Sequence, residues 1–378
     1  MRIAILTQPL RYNYGGMLQN FALQTVLRRM GHEVITLDPK RYKFSWWQHI
    51  LHIVRCVVGR YLLGHYNNSI LGRWRYDIMV RRLGSNTFRF IDKYIKRKEY
   101  ADLYNDVISD EFDAYVVGSD QVWRPEYNNN LPNMFLDFTR NWKVRRIAYA
   151  ASFGLDQWNC DKETTEICKG LLQYFDLVTV REFSGVKLCQ NVFETEATHV
   201  LDPTFLLTKE DYCSLLHLNR VPPSKGNLLV YILDYTEDKL KLIQSIKERY
   251  QLKPFRVNSD YEDRSLSDLS RRIQPSVEQW LRGFYDADYV VTDSYHGCIF
   301  SIIFGKPFVV YANEGRGRTR FESLYGQLSL SNCMISSYDE FHGFNINPLI
   351  CLEKVENLRK FSVEVLSRTL QHVVNENA

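Results

Sequence analysis

At 378 residues, the chain exceeds the ~250 to 300 residues at which single hydrophobic cores stop growing, so two domains are expected. Hydrophobic residues make up 45%, charged residues 24% and aromatic residues 14%, which excludes a disordered or fibrous chain and leaves an aromatic-rich globular one. The net charge of +4 is unevenly spread: residues 40–98 hold fourteen Lys and Arg against Asp77 and Asp92, a local +12 that leaves −8 elsewhere.

Residues 2–7 (RIAILT) form a continuous apolar run, the pattern of a strand buried on both faces, and 33–38 (EVITLD) repeat it. Between them, residues 16–30 place Met17, Leu18, Phe21, Ala22, Leu27 and Met30 at helical spacing, with Gly31 where a left-handed C-terminal cap belongs. This predicts a βαβ unit. Its turn, Asn13-Tyr14-Gly15-Gly16, with Gln19 one turn further on, brings two glycines to a strand-to-helix junction. There a ligand can approach the backbone, and exposed N–H groups favour anions and oxygens. The spacing is not GxGxxG, and an ordinary α/β turn fits it equally well.

The basic stretch 40–98 is too rich in Trp, Tyr, Leu and Val for a disordered tail. With Trp46, Trp47, Arg73, Trp74, Arg75, Arg81 and Arg82 it has the composition of an interfacial element. Basic residues contribute on the order of 1 kcal/mol each toward an anionic leaflet, and Trp prefers the headgroup zone. Peripheral membrane contact and a solvated, partly helical insertion both fit. No nucleic-acid-binding motif accompanies the charge, so nucleic acid is not expected as a partner.

Further strands are predicted at 114–117, 146–151, 176–180, 228–233, 289–292 and 307–311, separated mostly by helix-like stretches, which argues for doubly wound α/β domains with ligands at the carboxyl edge. On that edge lies Gly118-Ser119-Asp120-Gln121-Val122-Trp123. Here Asp120 can accept a hydroxyl's hydrogen or proton and Trp123 can stack on a pyranose. Ser152-Phe153-Gly154 makes a small-residue turn after the next strand, and Arg181-Glu182 ends the strand at 176–180. An arginine there can hold a phosphate or carboxylate bidentately. Structural alternatives stand beside these: a capping Asp, a core Trp, a surface Arg–Glu pair. Asp202-Pro203-Thr204 and the Pro-rich stretch 222–226 interrupt the pattern and place a domain boundary near 202–208.

In the second half, the strand at 289–292 enters a helix at Ser294, with Tyr295, His296 and Gly297 in its first turn. The helix's positive pole lowers the pKa of His296 until a bound anion restores it, which suits an acid that charges only when an anionic substrate arrives. Lys306-Pro307 opens the following strand, and Arg316, Arg318 and Arg320 come after it, as an anion site or a solvated basic face. Residues 353–375 read as an amphipathic helix able to pack back on the first domain. The eight cysteines show neither CxxC nor metal-ligand spacing, and HExxH, Walker A and GxSxG are missing, so no metal and no cofactor are expected. With no signal-peptide pattern and no apolar run of ~20 residues, a cytoplasmic location is expected.

Taken in order, YNYGGMLQNFALQTVLRRMGHEV, GSDQVW, AYAASFG, VREFSG, LDPT, VEQWLRGFYDADYVVTDSYHGCIFSIIFGKPF and RTRFESL resemble the polysaccharide pyruvyl transferase family from about residue 2 to 330. The resemblance implies two Rossmann-like domains in a GT-B-like arrangement. Residues 1–205, with the C-terminal helix 353–378 packing back on them, would form the acceptor side; residues 206–352 would take phosphoenolpyruvate. The implied activity is transfer of pyruvyl to a hexose, often galactose or mannose, of a surface polysaccharide or its lipid-linked precursor, as a ketal. Carried onto this chain, the family's histidine falls on His296, its strand-end arginine on Arg181 and its glycine-rich loop on Asn13–Gly16. Relatives often have Arg-Leu-His-Gly where this chain has Ser294-Tyr295-His296-Gly297, so Lys306, Arg318 or Arg320 must supply the missing donor-site charge. His296 and Asp120 are then the catalytic candidates. Arg181, Ser294, Tyr295, Gly297, Lys306, Arg318 and Arg320 are the donor-binding ones. Asn13, Tyr14, Gly15, Gly16, Gln19, Ser119, Gln121, Trp123, Ser152 and Phe153 are the acceptor-binding ones. A GT-B glycosyltransferase using a nucleotide sugar, and a non-catalytic carbohydrate-binding protein, are the alternatives.

Overall fold

A computed structural model describes residues 1–40, 46–62, 72–216, 220–259, 269–312, 318–330, 334–343 and 348–371. Arg316, residues 372–378 of the expected C-terminal helix, parts of the basic stretch, and the side chains of Trp46, Arg73, Trp74 and Arg75 lie outside the described residues.

Two parallel sheets carry the fold. The first contains β1 (Arg2–Leu6), β2 (Glu33–Pro39), β3 (Arg97–Tyr100), β4 (Ala114–Val117), β5 (Arg145–Ala151), β6 (Leu177–Val180) and β7 (Thr198–His199), in the order β3-β2-β1-β4-β5-β6-β7. The second contains β8 (Leu228–Tyr231), β9 (Pro254–Phe255), β10 (Tyr289–Thr292), β11 (Phe308–Tyr311) and β12 (Met334–Ile335), in the order β12-β11-β10-β8-β9. The eight apolar runs all became strands. The four that escaped notice, β3, β7, β9 and β12, are two to four residues long and sit at or next to sheet edges, where little hydrophobicity is required.

Both faces of β1 are buried, as its unbroken apolar run demands. Ile3 and Ile5 join the core under the helix Tyr14–Arg29, while Ala4 and Leu6 join Tyr115 and Val117 on the opposite face. The first of these cores is continuous between the sheets: Ile3, Leu18 and Val116 belong to the same apolar cluster as Trp280, Phe300 and Val310. The basic stretch forms the helices Trp46–Leu62, Gly72–Leu83 and Ser85–Tyr94, the last burying Phe88, Phe90 and Ile91.

The C-terminal helix, Pro348–Gln371, packs back on the first sheet's half. Ser362 Oγ accepts the Leu201 N–H at 3.1 Å, Arg359 Nε donates to the Phe205 carbonyl at 2.6 Å, and Arg145 donates to the Thr369 carbonyl at 2.7 Å. In each sheet the strand order reverses beside its first strand, between β1 and β4 and between β8 and β10. Open α/β sheets leave a crevice at that reversal, outside the carboxyl ends of the strands.

Candidate active site

A cavity of about 690 Å³ opens at both reversals. From the first half it is lined by Gln8 to Met17, which follow β1, and by Asp120, Gln121, Arg124 and Tyr127, which follow β4. From the second half come Tyr231 at the end of β8 and Leu233 just after it, Asp293 to His296 after β10, and Arg320.

Beside the cavity the two halves pack closely at Gly15. The helix Tyr14–Arg29 begins at Tyr14, two residues earlier than its apolar spacing suggested, so Gly15 and Gly16 lie in its first turn. A Cβ on Gly15 would come within 2.0 Å of Nδ1 of His296, so only glycine admits the imidazole there. A Cβ on Gly16 would lie 3.1 Å from Oδ2 of Asp120. Tyr14 reaches across the junction, donating its hydroxyl to the Pro275 carbonyl at 2.7 Å and stacking on Trp280 at 5.3 Å. This helix has no side-chain cap, whereas Ser294 caps its counterpart Tyr295–Ile303 by accepting the Gly297 N–H at 3.3 Å.

Behind the cavity lies a buried charge network into which the separate motifs converge. Arg181, 2% exposed, donates to Oδ2 of Asp202 at 2.9 Å, with Asp120 and Glu182 each 3.7 Å from its other nitrogens. Glu182 in turn accepts the N–H groups of Phe153 and Gly154 at 2.8 and 3.1 Å. Burial opposes the charge of Arg181, but the carboxylates, led by Asp202, more than restore it. The Arg181 guanidinium stands 5.1 Å from the centroid of the Tyr295 ring, and that of Arg320 5.4 Å from the same centroid. Burial, followed by the neighbouring charge of Arg181, weakens the hold of Arg320 on its proton.

His296 joins the network through Nε2, 3.8 Å from Asp202. Burial is the main cause that pushes its pKa below the usual imidazole value; Asp202 and Asp120 pull it up, and Arg181 and Arg320 push it down. The lowered pKa favours the neutral imidazole, with desolvation as its first cause. Asp202 had read only as a domain-boundary residue because Pro203 follows it. The signal that could have revealed it is an Asp next to the end of a strand, at the edge where the other motifs gather.

Several expected site residues do not reach the cavity. Trp123 is sealed in the core, its Nε1 donating to the Met134 carbonyl at 2.9 Å and its ring stacked on Phe135 at 5.0 Å, so it offers no face to a sugar. Phe153 packs against it, 2% exposed. Gln19, Ser119 and Ser152 are buried and bond to the protein itself: Ser119 N–H donates to Gln19 at 3.0 Å, and Ser152 Oγ accepts from Gly154 at 3.1 Å. Lys306 precedes β11 and so lies at the amino edge of a parallel sheet whose cavity is at the carboxyl edge. Arg318 bonds Glu322 and Ser336 at 2.9 and 3.1 Å and does not line the cavity. Arg181 and Gly297 lie just behind the lining. Of the basic candidates near β11, Arg320 alone is among the described lining residues. Tyr127, Arg124 and Arg11 line the cavity without having been anticipated.

The sequence profile of the polysaccharide pyruvyl transferase family matches residues 13–315. No curated protein matches the chain. Among solved structures, it is similar to the UDP-GlcNAc 2-epimerase from Neisseria meningitidis bound to UDP-GlcNAc, with 9% identity, TM-score 0.50, and coverage of 98% of this chain and 100% of that one. The UDP-GlcNAc 2-epimerase from Methanocaldococcus jannaschii has 12% identity, TM-score 0.48, and coverage of 98% and 100%. At such identities the likeness concerns the fold, two parallel α/β sheets in the GT-B arrangement. With most of its length matched by that profile, and with the profile's span running from the uncapped helix through Arg181 to His296, the chain belongs to the polysaccharide pyruvyl transferase family and is an enzyme.

Proposed function

We propose that the enzyme takes its pyruvyl group from phosphoenolpyruvate and delivers it to a hexose of a surface polysaccharide, or to its lipid-linked precursor, closing a ketal and releasing phosphate. The supporting observation is the shared cavity, where His296 and Arg320 from the second half meet Asn13–Gly16 and Asp120 from the first.

Phosphoenolpyruvate becomes electrophilic at C2 once C3 takes a proton, so a placed acid is required. A neutral imidazole held beside two guanidiniums is poised for this: bound phosphate or carboxylate adds negative charge that allows His296 to protonate. Two guanidiniums near one ring repel each other, and an anion relieves that repulsion. The uncapped N–H groups of the helix Tyr14–Arg29 offer further anion donors. His296 then gives its proton to C3 and a C–H bond forms. A sugar hydroxyl attacks C2 as Asp120 accepts its proton, the C2–O bond to phosphate breaks, and a second hydroxyl closes the ring while its proton leaves with phosphate. Loss of the proton from Asp120 and uptake of one by His296, through solvent, restore both groups, so that on balance the two hydroxyl protons are matched by one on the methyl group and one on phosphate. Attack by O4 and O6 closes a six-membered ring, so a 4,6-ketal, with galactose the first acceptor to try, is the expected product. Tyr127, 53% exposed with the Arg124 guanidinium 4.5 Å from its ring, takes over the sugar-facing part that Trp123 cannot play.

The partner side of the proposal is an anionic membrane surface. On the helix Trp46–Leu62, Trp47, Leu51, Val54 and Val58 recur at helical spacing and are 66%, 55%, 50% and 40% exposed, in the basic part of the chain. No helix among the described residues is long and apolar enough to cross a membrane.

Incubation with phosphoenolpyruvate and galactosides, free and lipid-linked, should release phosphate and add a carboxyethylidene mass. His296→Ala should lower turnover by roughly 10²- to 10⁴-fold with the fold retained. Absence of turnover on every hexose acceptor, with thermal protection by UDP or GDP instead, would favour a nucleotide-sugar glycosyltransferase. Sugar binding without any turnover would favour a non-catalytic binder.

A further inference from the structure

Asp202 has no role in the steps above, yet it is among the most firmly held side chains in the molecule. Its carboxylate is fully buried and fixed at both oxygens. Oδ1 accepts the Thr204 backbone N–H at 3.0 Å and the Thr204 hydroxyl at 2.7 Å. Oδ2 accepts from Arg181 at 2.9 Å and from Ser119 Oγ at 3.4 Å. Four donors therefore set its direction without any contribution from His296.

That direction aims Oδ2 at Nε2 of His296, 3.8 Å away. The gap is too long for a hydrogen bond, and Nε2 has no hydrogen-bond partner among the described residues. An approach of about 1 Å would bring the pair to the length of a charge-assisted bond. The other ring nitrogen lies elsewhere: Nδ1 rests against Gly15, at the point of the cavity wall where a Cβ would stand 2.0 Å from it. One nitrogen thus faces a fixed carboxylate, and the other lies on the cavity side of the ring, against the backbone of Gly15, which lines the same cavity.

We propose that Asp202 is the positioning residue of His296, accepting Nε2–H so that Nδ1 is the nitrogen that exchanges a proton with the substrate beside Gly15. This rests on the reading of His296 as the acid of the transfer. The charged groups facing the imidazole are Asp202 from the turn after β7, Arg181 from the end of β6, Asp120 from the loop after β4, and Arg320 from the helix Arg318–Leu328; the Tyr295 ring lies beside it on its own helix. Asp202 is the carboxylate that comes within 4 Å of a ring nitrogen among the described residues. Loss of its charge leaves the imidazole facing two guanidiniums with Asp120 alone to offset them, so protonation must move to lower pH.

The test is a pH titration of the full chain labelled with ¹⁵N-histidine, followed by NMR, with the His296 signals identified by their loss in His296→Gln. In the wild type the neutral ring should carry its proton on Nε2, and inorganic phosphate should raise the midpoint. In Asp202→Asn the midpoint should fall by about one pH unit or more, and kcat with phosphoenolpyruvate should fall at least roughly tenfold with KM much less affected. Thr204→Val, which removes one of the two donors to Oδ1 of Asp202 without removing its charge, should produce a smaller shift and serves where Asp202→Asn does not fold. An unchanged midpoint together with unchanged Nε2 protonation in either folded variant overturns the assignment. The titration needs no turnover. A shifted midpoint in a chain that never consumes phosphoenolpyruvate therefore refutes the transferase reading alone, and an unshifted midpoint in an active enzyme refutes the Asp202 assignment alone.

Discussion

The network around Arg181 and the helix Trp46–Leu62 are physical opposites. The network is almost sealed from water, and three carboxylates surround its central guanidinium within 3.7 Å. The helix presents Trp47, with 66% of its surface exposed, and an apolar stripe of which Leu51, Val54 and Val58 are 40% to 55% exposed. Buried charge acts through compensation, so its value lies in the set and not in any one member. An exposed apolar and basic surface acts through what it meets.

The comparison breaks most severely at its centre. Arg181→Met should leave Asp120, Glu182 and Asp202 without their shared cation and cost roughly 3 to 5 kcal/mol of stability, read by chemical denaturation. A loss below about 1 kcal/mol would mean that the carboxylates hold one another without it. Gly15→Ala should cost about 1 to 3 kcal/mol of stability and displace His296, lowering turnover on the order of 100-fold, as a misplacement of about 1 Å does. Gly16→Ala, whose Cβ would stand 3.1 Å from Asp120, should cost less, and equal losses in the two variants would argue against a special contact at Gly15. Leu51→Asp should change stability by no more than about 0.5 kcal/mol and leave turnover on soluble acceptors intact. It should abolish co-sedimentation with anionic vesicles; retained vesicle binding would remove the stripe from the membrane reading.

Continuous apolar runs made the central strands legible, because a strand covered on both faces has no room for polar side chains. Edge strands such as Arg97–Tyr100 (RKEY) have no such constraint, and nothing in three charged residues and a tyrosine announces one. At the site, residue type was legible and depth was not. Trp123 and Tyr127 lie four residues apart after the same strand, yet the first is wholly buried and the second 53% exposed, a difference set by Met134 and Phe135, which reach Trp123 from further along the chain. Lys306 shows another limit: proximity in sequence to Arg318 and Arg320 concealed that a parallel strand carries its two ends to opposite edges of the sheet. Asp202 was hidden by the proline beside it, since a turn signal and a functional carboxylate occupied the same three residues.

Ser362 and Arg359 grip Leu201, Phe205 and Leu207, the residues on either side of Asp202. The aim of a carboxylate at the heart of the molecule is thus splinted by a helix some 160 positions away in sequence, and that helix lies beyond residues 13–315, the part of this chain that the family profile matches. Two relatives alike over that shared span can therefore still differ in how their histidine is steered, through a segment that takes no part in the chemistry and leaves no trace in the motifs.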